Sequence, residues 1–399
     1  MFGFFKKKPA GVREILIPAS AIADDAAVYA PVSAVVDFVN AVLHRGHYRR
    51  WEIPQAALDA YHADYYYAQV CNGGHSQFIR NSGMPDATLD DAEAGLAAMG
   101  ATEMLACLRE MRAWAREHIG EAMIQDGFET RAEALDTLDQ RLYAADEDSG
   151  YHKAANRWLQ GLSEIRVVPD AQWSTEVEAV IAANPNYRRR ADDALIGRLG
   201  GELTDPFRTG LAFAGLISDP KHMVQGLTAG SFVTIDGEQT LLWGVRTDQG
   251  ICQAIQLQDA VFLLQPEDGN YLQPGKALSR APTETIEQAI AHANSHAPSF
   301  AAIVLLRRAG IEIGVDCMAF ATPVTQDALG EDVAAYELGL EDGRWLVFAM
   351  GTKGAAFAQG DHMPQAEFIS ANEISIERRA YEQRLAEDKK QLAASRRKA

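Results

Sequence analysis

The sequence predicts an α+β protein: an N-terminal all-α helical domain followed by an α+β domain with a mostly antiparallel sheet. Three observations predict it. Apolar residues recur at helical spacing through the first 165 residues. Alternating strand patterns and Asp-Gly turns appear only beyond about residue 220, and the composition shifts in between. With 399 residues, 47% hydrophobic and 23% charged, the chain is long enough for two domains with sizeable cores.

Residues 12–30 read as a loosely structured entry, with an apolar patch at Ile15–Ile17 stopped by Pro18. The first helix is expected at Ser33–His44, where Val35, Val36, Val39 and Leu43 share a face behind a Ser cap. A second should open near Pro54 and run through Leu58, Tyr61, Tyr65 and Tyr66. It meets Asn72-Gly73-Gly74, a pair of glycines that permits a tight corner, beyond which Gln77 to Ser82 fit about two further turns. Thr88–Met99, Thr102–Ile119, Thr130–Ala145, Tyr151–Leu162 and Thr175–Ala183 continue the helical pattern. The domain change falls between Asn184 and Asp219, through the basic run Arg188–Arg190.

Farther on, Phe232–Ile235 and Thr240–Val245 flank Asp236-Gly237 as a hairpin, and Gly250–Leu257 and Val261–Leu264 extend the sheet. Thr283–Ala293 reads as a helix. Phe300–Arg307, Ile311–Cys317, Ala334–Leu340 and Trp345–Met350 read as strands, with a turn at Glu341-Asp342-Gly343. Asn372–Lys398 reads as a charged helix. The resulting division is an extended arm at 1–29, an acidic helical domain at 30–165, a helical linker region at 166–219, an α+β domain at 220–370 and a charged helix at 371–399.

Charge narrows the function. Lys and Arg number 37 against 55 Asp and Glu, a net of −18, which repels nucleic acid and anionic membranes and suits a basic partner. Residues 30–165 hold 11 Lys and Arg against 21 Asp and Glu, a net of −10. The four cysteines are far apart, as free thiols in a reducing cytoplasm would be. MFGFFKKKPAG lacks the charge-then-apolar order of a signal peptide, and no stretch reaches the ~18 apolar residues of a membrane span.

The most unusual stretch is Tyr65–Ser82. Tyr65, Tyr66 and Tyr67 cannot all face one core, so at least one phenol should reach a polar partner or the surface. Gln77 and Asn81 share a face, and their amides are placed to hold the corner's free backbone groups. Tyr67, Asn72, Gly73, Gly74, Gln77, Asn81 and Ser82 therefore form a structural motif. Catalytic and metal signatures are weak. His292 and His296 in HANSH have a spacing that could place two imidazoles on one metal, yet no glutamate adjoins the first and Pro298 follows closely. The expectation is a pair at a helix C-terminus. Cys71 and His75 are four apart with two glycines between them. Gly269 to Lys276 is one residue too long for a phosphate loop, and Ala277 replaces the needed hydroxyl. No metal, no cofactor and no catalytic residue are assigned.

The Asn72-Gly73-Gly74 corner, followed by Gln77 and by Asn81-Ser82 and set between helices, resembles the bacterial DNA-mimic protein family over roughly residues 33–165. Cys71 stands where a second Asn is usual, Gln69 where an acid is common, and His75 and Arg80 where aromatics are common. The resemblance implies a helical fold and surface carboxylates that imitate duplex phosphates, so that a basic DNA-binding protein is occupied. The candidate acids are Asp90, Asp91, Glu129, Glu133, Asp136, Asp139, Asp146, Glu147 and Asp148, of which Glu129, Glu133, Asp136 and Asp139 recur as one helical stripe. The expected function is a non-enzymatic acidic protein-binding module in the cytoplasm, with a basic partner and no direct nucleic-acid or membrane binding. An immunity or stress-related protein that blocks a toxin would use the same charge. An enzyme sited between the two domains would need Tyr, His and carboxylate side chains to converge in a cleft.

Overall fold

Ile15, Leu16 and Ile17 are so apolar that water around them is costly, and the chain buries all three almost completely. The computed structural model describes residues 11–23, 27–127, 130–235, 237–267, 269, 271–311, 318–340, 343–358 and 368–396. Two compact units divide it: Met1–Arg190 with Glu387–Ala399, and Ala191–Ala386.

In the first unit the apolar triplet forms strand β1 (Ile15–Pro18), paired in parallel with β2 (Ile165–Val168) in the register Ile15 to Ile165. The segment read as a loose entry is thus a core strand. Its partner lies some 150 residues away, beyond the reach of any local pattern. After a turn of helix α1 (Ser20–Ala23) come α2 (Ala30–Asn40), ending in a π-turn at Ala41–Arg45, the long α3 (Gln55–Ser82) and α4 (Asp86–Met99). Then follow α5 (Thr102–Glu117), the short α6 (Ile119–Met123), α7 (Glu133–Ala145), α8 (Gly150–Gln160), and, after β2, α9 (Asp170–Ala182); α10 (Tyr187–Leu203) begins here, and from Ala191 onward its residues belong to the second unit, where Ile196, Leu199 and Leu203 are buried. Pro85, not Thr88, occupies the N-cap of α4, and Pro31 in the first turn of α2 starts that helix before Ser33. Phe38, Leu58, Tyr66, Phe78, Leu108, Leu142 and Tyr151 fill the core.

Arg190, in the run that marks the composition change, is buried. Its guanidinium grips Glu52 with two bonds, 2.6 Å and 2.9 Å, and also donates to the His47 carbonyl at 3.1 Å. Glu52 Oε2 in turn accepts the Arg49 amide at 2.9 Å, so the two buried charges are paired and bonded, with only the Arg190 Nε of that guanidinium left without a partner among the described residues.

The second unit contains α11 (Pro206–Ile217) and a five-stranded antiparallel meander of β3 (Val224–Ile235), β4 (Glu238–Thr247), β5 (Gly250–Gln256), β6 (Ala260–Gln265) and β7 (Lys276–Pro282). Leu211 and Phe213 of α11 and Ile286 of α12 (Thr283–His296) pack on Val245, Val261 and Leu263 of this sheet. Next come α13 (Pro298–Ala309), β8 (Met318–Ala321), β9 (Thr325–Gln326), β10 (Asp332–Gly339), β11 (Trp345–Gly351), β12 (Gly354–Phe357), β13 (Ile369–Ser370) and α14 (Ala371–Arg396). The second sheet is antiparallel in the order β13-β12-β11-β10-β8, with β9 on β10.

The protein is α+β, with helices first and antiparallel sheet later. One strand assignment is corrected. Phe300–Arg307 belongs to helix α13, because Pro298 starts a first turn and Gly310, at φ +66°, ends it. Its apolar run is buried in the second core with Ile303 and Leu306, and such a run has no period that distinguishes a buried helix from a buried strand. Residues 312–317 of the expected Ile311–Cys317 strand, Asp236, and the Glu341-Asp342 turn lie outside the described residues.

Replacing Glu52 with Ala should cost roughly 3–5 kcal/mol in denaturant unfolding, because it leaves the Arg190 charge buried and alone. A loss under ~1 kcal/mol, the value of an exposed pair, would contradict the burial described.

Candidate functional site

The corner in α3 is a kink rather than a break. Gly73 takes φ −155° and ψ 22°, and Gly74 takes φ +74° and ψ −178°, with helix on both sides. Only glycine fits the second position. A Cβ there would stand 2.1 Å from Asp139 Oδ2 and 2.5 Å from Arg131 Nη2, and one on Gly73 would meet Gln77 Oε1 at 2.1 Å.

The kink interrupts the helical ladder, and the freed backbone groups need partners. Asp139, reaching in from α7, accepts the His75 amide at 2.8 Å and the His75 Nδ1 proton at 2.5 Å. Tyr143 donates to the Val70 carbonyl at 2.9 Å. Ser76 bridges Thr130 O and the Gly127 amide, at 3.0 Å and 2.9 Å. Gln77 and Asn81 were expected to serve the backbone here; instead both donate to the Gln69 side chain, at 3.1 Å and 2.6 Å. Asn72 is exposed, and the Ser82 hydroxyl accepts the Met84 amide at 3.1 Å.

The three tyrosines divide as their crowding requires. Tyr66 is fully buried, and its hydroxyl meets His75 Nε2 at 2.7 Å. Tyr67 donates to Asp146 at 2.7 Å and stacks on Tyr151 with centroids 4.3 Å apart. Tyr65 is partly buried against Phe78.

Tyr66, His75, Asp139 and Arg131 thus form one chain of bonds. Because Asp139 accepts from Nδ1, the imidazole presents its Nε2 lone pair to the Tyr66 hydroxyl. Such an order could relay a proton, but Tyr66, His75 and Asp139 are all buried and offer no atom to a substrate. The chain of bonds pins the corner. Burial opposes ionisation of Asp139, yet the bonds from the His75 ring and backbone and from Arg131, the last at 2.8 Å, outweigh it and hold the carboxyl below its usual range. Asp59 and Asp64, earlier on α3, are pushed the other way by burial, each to about 6.

The expected acidic surface is only partly surface. Asp91 and Asp139 are corrected to buried positions. Asp91 accepts from Gln55 at 2.9 Å and also pairs with Arg50 and His62, and Asp139 serves the corner. Leu135, Leu138 and Leu142 are buried on α7, so their helical spacing turns residue 139 inward with them. Asp146 is partly buried and accepts the Tyr151 amide at 3.0 Å as well as Tyr67. Glu133, Asp136 and Glu147 are exposed, Asp136 lying 3.4 Å from Arg131. Glu129 and the Asp148 side chain lie outside the described residues.

Arginines lace the remaining acids together. Arg112 donates to Asp86, Asp90 and Glu93 at 2.9, 2.8 and 2.7 Å, and Arg141 forks onto Glu110 at 2.6 and 2.9 Å while bonding Glu103 at 2.8 Å. These two clamps run between helices, Arg112 from α5 to α4 and Arg141 from α7 to α5, so side-chain spacing within one helix did not reveal them.

The fold and the corner define an acid-rich helical domain organised around a kinked central helix. Residues 52–162, from the start of α3's approach to the end of α8, match the family model described as DMP19-like protein, which supports a DNA-mimic family for this segment. No curated protein and no solved structure matches the chain.

Two outcomes follow. Gly74→Ala should destabilise the protein by more than Gly83→Ala. Both carry the ~1–3 kcal/mol of a left-handed backbone, but only residue 74 also collides with Asp139, residue 83 having open space around it. Equal losses would remove the collision from the account. Folded-state stability should also fall as pH rises from about 4 to about 6, because the partly buried Asp59 and Asp64 hold protons in the folded state that the unfolded chain gives up over that range. An Asp59→Asn/Asp64→Asn variant should flatten that slope in thermal melts. The Asp139 contribution has the opposite sign, present at neutral pH and lost as acid protonates it.

Proposed function

We propose that residues 52–162 form a non-enzymatic acidic module that occupies the DNA-binding surface of a basic protein. The observation that carries this reading is the DMP19-like match, which falls on a segment with 19 Asp and Glu against 8 Lys and Arg, a net of −11. The exposed carboxylates Asp90, Glu133, Asp136 and Glu147 are the contacts, with Asp86, Glu103 and Glu110 beside them. The arginine clamps hold several of these acids in fixed positions. A rigid array costs less ordering entropy on binding than loose side chains do.

The module acts in the cytoplasm. Cys71, Cys107 and Cys252 are free thiols, which accords with that setting, and no helix among the described residues is long and apolar enough to cross a membrane.

The test uses the full chain as bait for proteins eluted by salt, followed by competition. The expected partner is a DNA-binding protein whose complex is dissolved by excess duplex DNA and weakens steeply as salt rises. Glu133→Lys/Asp136→Lys should weaken it about tenfold or more, with helicity unchanged. A partner retained in excess duplex DNA overturns the mimicry, and a captured toxin held in that way favours the immunity reading.

A further inference from the structure

An open cleft in the first unit has a composition that the acidic module does not use. Its floor is apolar, made by Ala21 and Ile22 of α1, Val28, and Pro31 at the start of α2, and its wall carries Lys153 and Arg157 of α8. The enclosed volume is about 440 Å3, within the ~300–1,000 Å3 of small-molecule sites. Floor and wall are fastened to each other. The Asn156 side-chain amide donates to the Val28 carbonyl at 2.9 Å, and the Tyr29 and His152 rings meet edge-on with centroids 4.2 Å apart. A cleft fixed in this way needs little further ordering when it is filled.

The two cations follow from the helix period. Lys153 and Arg157 are four apart and share a face of α8, opposite the buried Ala155 and Leu159. Their surroundings make them unusual. Elsewhere in this acid-rich unit Arg112, Arg131, Arg141 and Arg190 all pair with carboxylates. Among the described residues the Lys153 ammonium has no such partner, and Arg157 donates only its Nε, to the Lys153 carbonyl at 3.3 Å. Like charges at this spacing repel, so an anion held between them relieves a cost the free protein carries. The helix dipole favours Arg157 in the last turn of α8, but it does not account for the apolar floor in front of it.

We propose that this cleft binds a small organic carboxylate with an apolar tail. The carboxylate lies between Lys153 and Arg157, and the tail covers Ile22, Val28 and Pro31. The free edge of the guanidinium takes a carboxylate through two parallel bonds, and the ammonium adds a compact charge. Inorganic phosphate would meet the same charges and leave the floor wet. An apolar amine would meet two charges of its own sign. The site is independent of the DNA-mimic reading, since its floor lies outside the matched residues 52–162 and it selects a ligand of opposite charge to a basic partner.

The experiment titrates the full chain with hexanoate and with hexylamine by ligand-observed NMR, and adds inorganic phosphate as a competitor of hexanoate. The wild type should bind hexanoate. Lys153→Gln/Arg157→Gln should weaken that binding about tenfold or more, the scale of a lost charged hydrogen bond. Ile22→Ser should weaken it as well, through the tail. All three side chains are exposed, so the variants keep the fold, and circular dichroism checks that. Hexylamine should not bind, and phosphate should displace hexanoate only weakly. No hexanoate binding by the wild type, equal binding by the double variant, or hexylamine or phosphate bound as tightly as hexanoate overturns the site.

Discussion

The first unit depends on one carboxylate. Asp139 enters from α7 and accepts the amide, and then the ring, of the residue just after the two glycines. Without it the kink in α3 would leave a buried amide unpaired, and such a group is costly because water cannot reach it. The close approach leaves no room for a side chain at residue 74. Two glycines and one aspartate, some 65 positions apart, therefore require each other. The tyrosines, Ser76 and Tyr143 complete what that contact begins.

The same carboxylate shows why an acidic sequence is a poor map of an acidic surface. Negative charge in this unit does three separate jobs. Asp91 and Asp139 satisfy buried polar groups, and Asp86, Asp90, Glu93, Glu103 and Glu110 tie helices together through Arg112 and Arg141. Glu133 and Glu147 stand exposed to whatever approaches. Exposed pairs add little to stability singly, and their larger effect here is to hold carboxylates in place.

Much of this architecture is legible from periodicity. The helices of the first unit and the hairpins of the second follow from apolar spacing, prolines and glycines. What escaped needed a partner elsewhere in the chain. β1 looked like loose coil because β2 lies far along the sequence, and α13 looked like a strand because an apolar run buried on every side carries no period. Arg190 marked only a change of composition in the sequence, because its partner Glu52 lies 138 residues away. Asp139 was the exception, since the buried leucines around it already marked the inward face. For the histidines of α12 the spacing was visible, whereas the Tyr336 hydroxyl that fixes the His292 ring appears only once β10 is in place.

The parallel pairing of β1 with β2 has a practical consequence for dissecting the chain. A fragment trimmed to start near residue 30 would strip away Ile15, Leu16 and Ile17 and uncover the backbone edge of Ile165–Val168. Open edges next to newly wetted apolar surface invite intermolecular pairing, so such a fragment is set to precipitate. Anyone isolating the helical half would need to keep the stretch from Gly11 onward and carry it past Arg190.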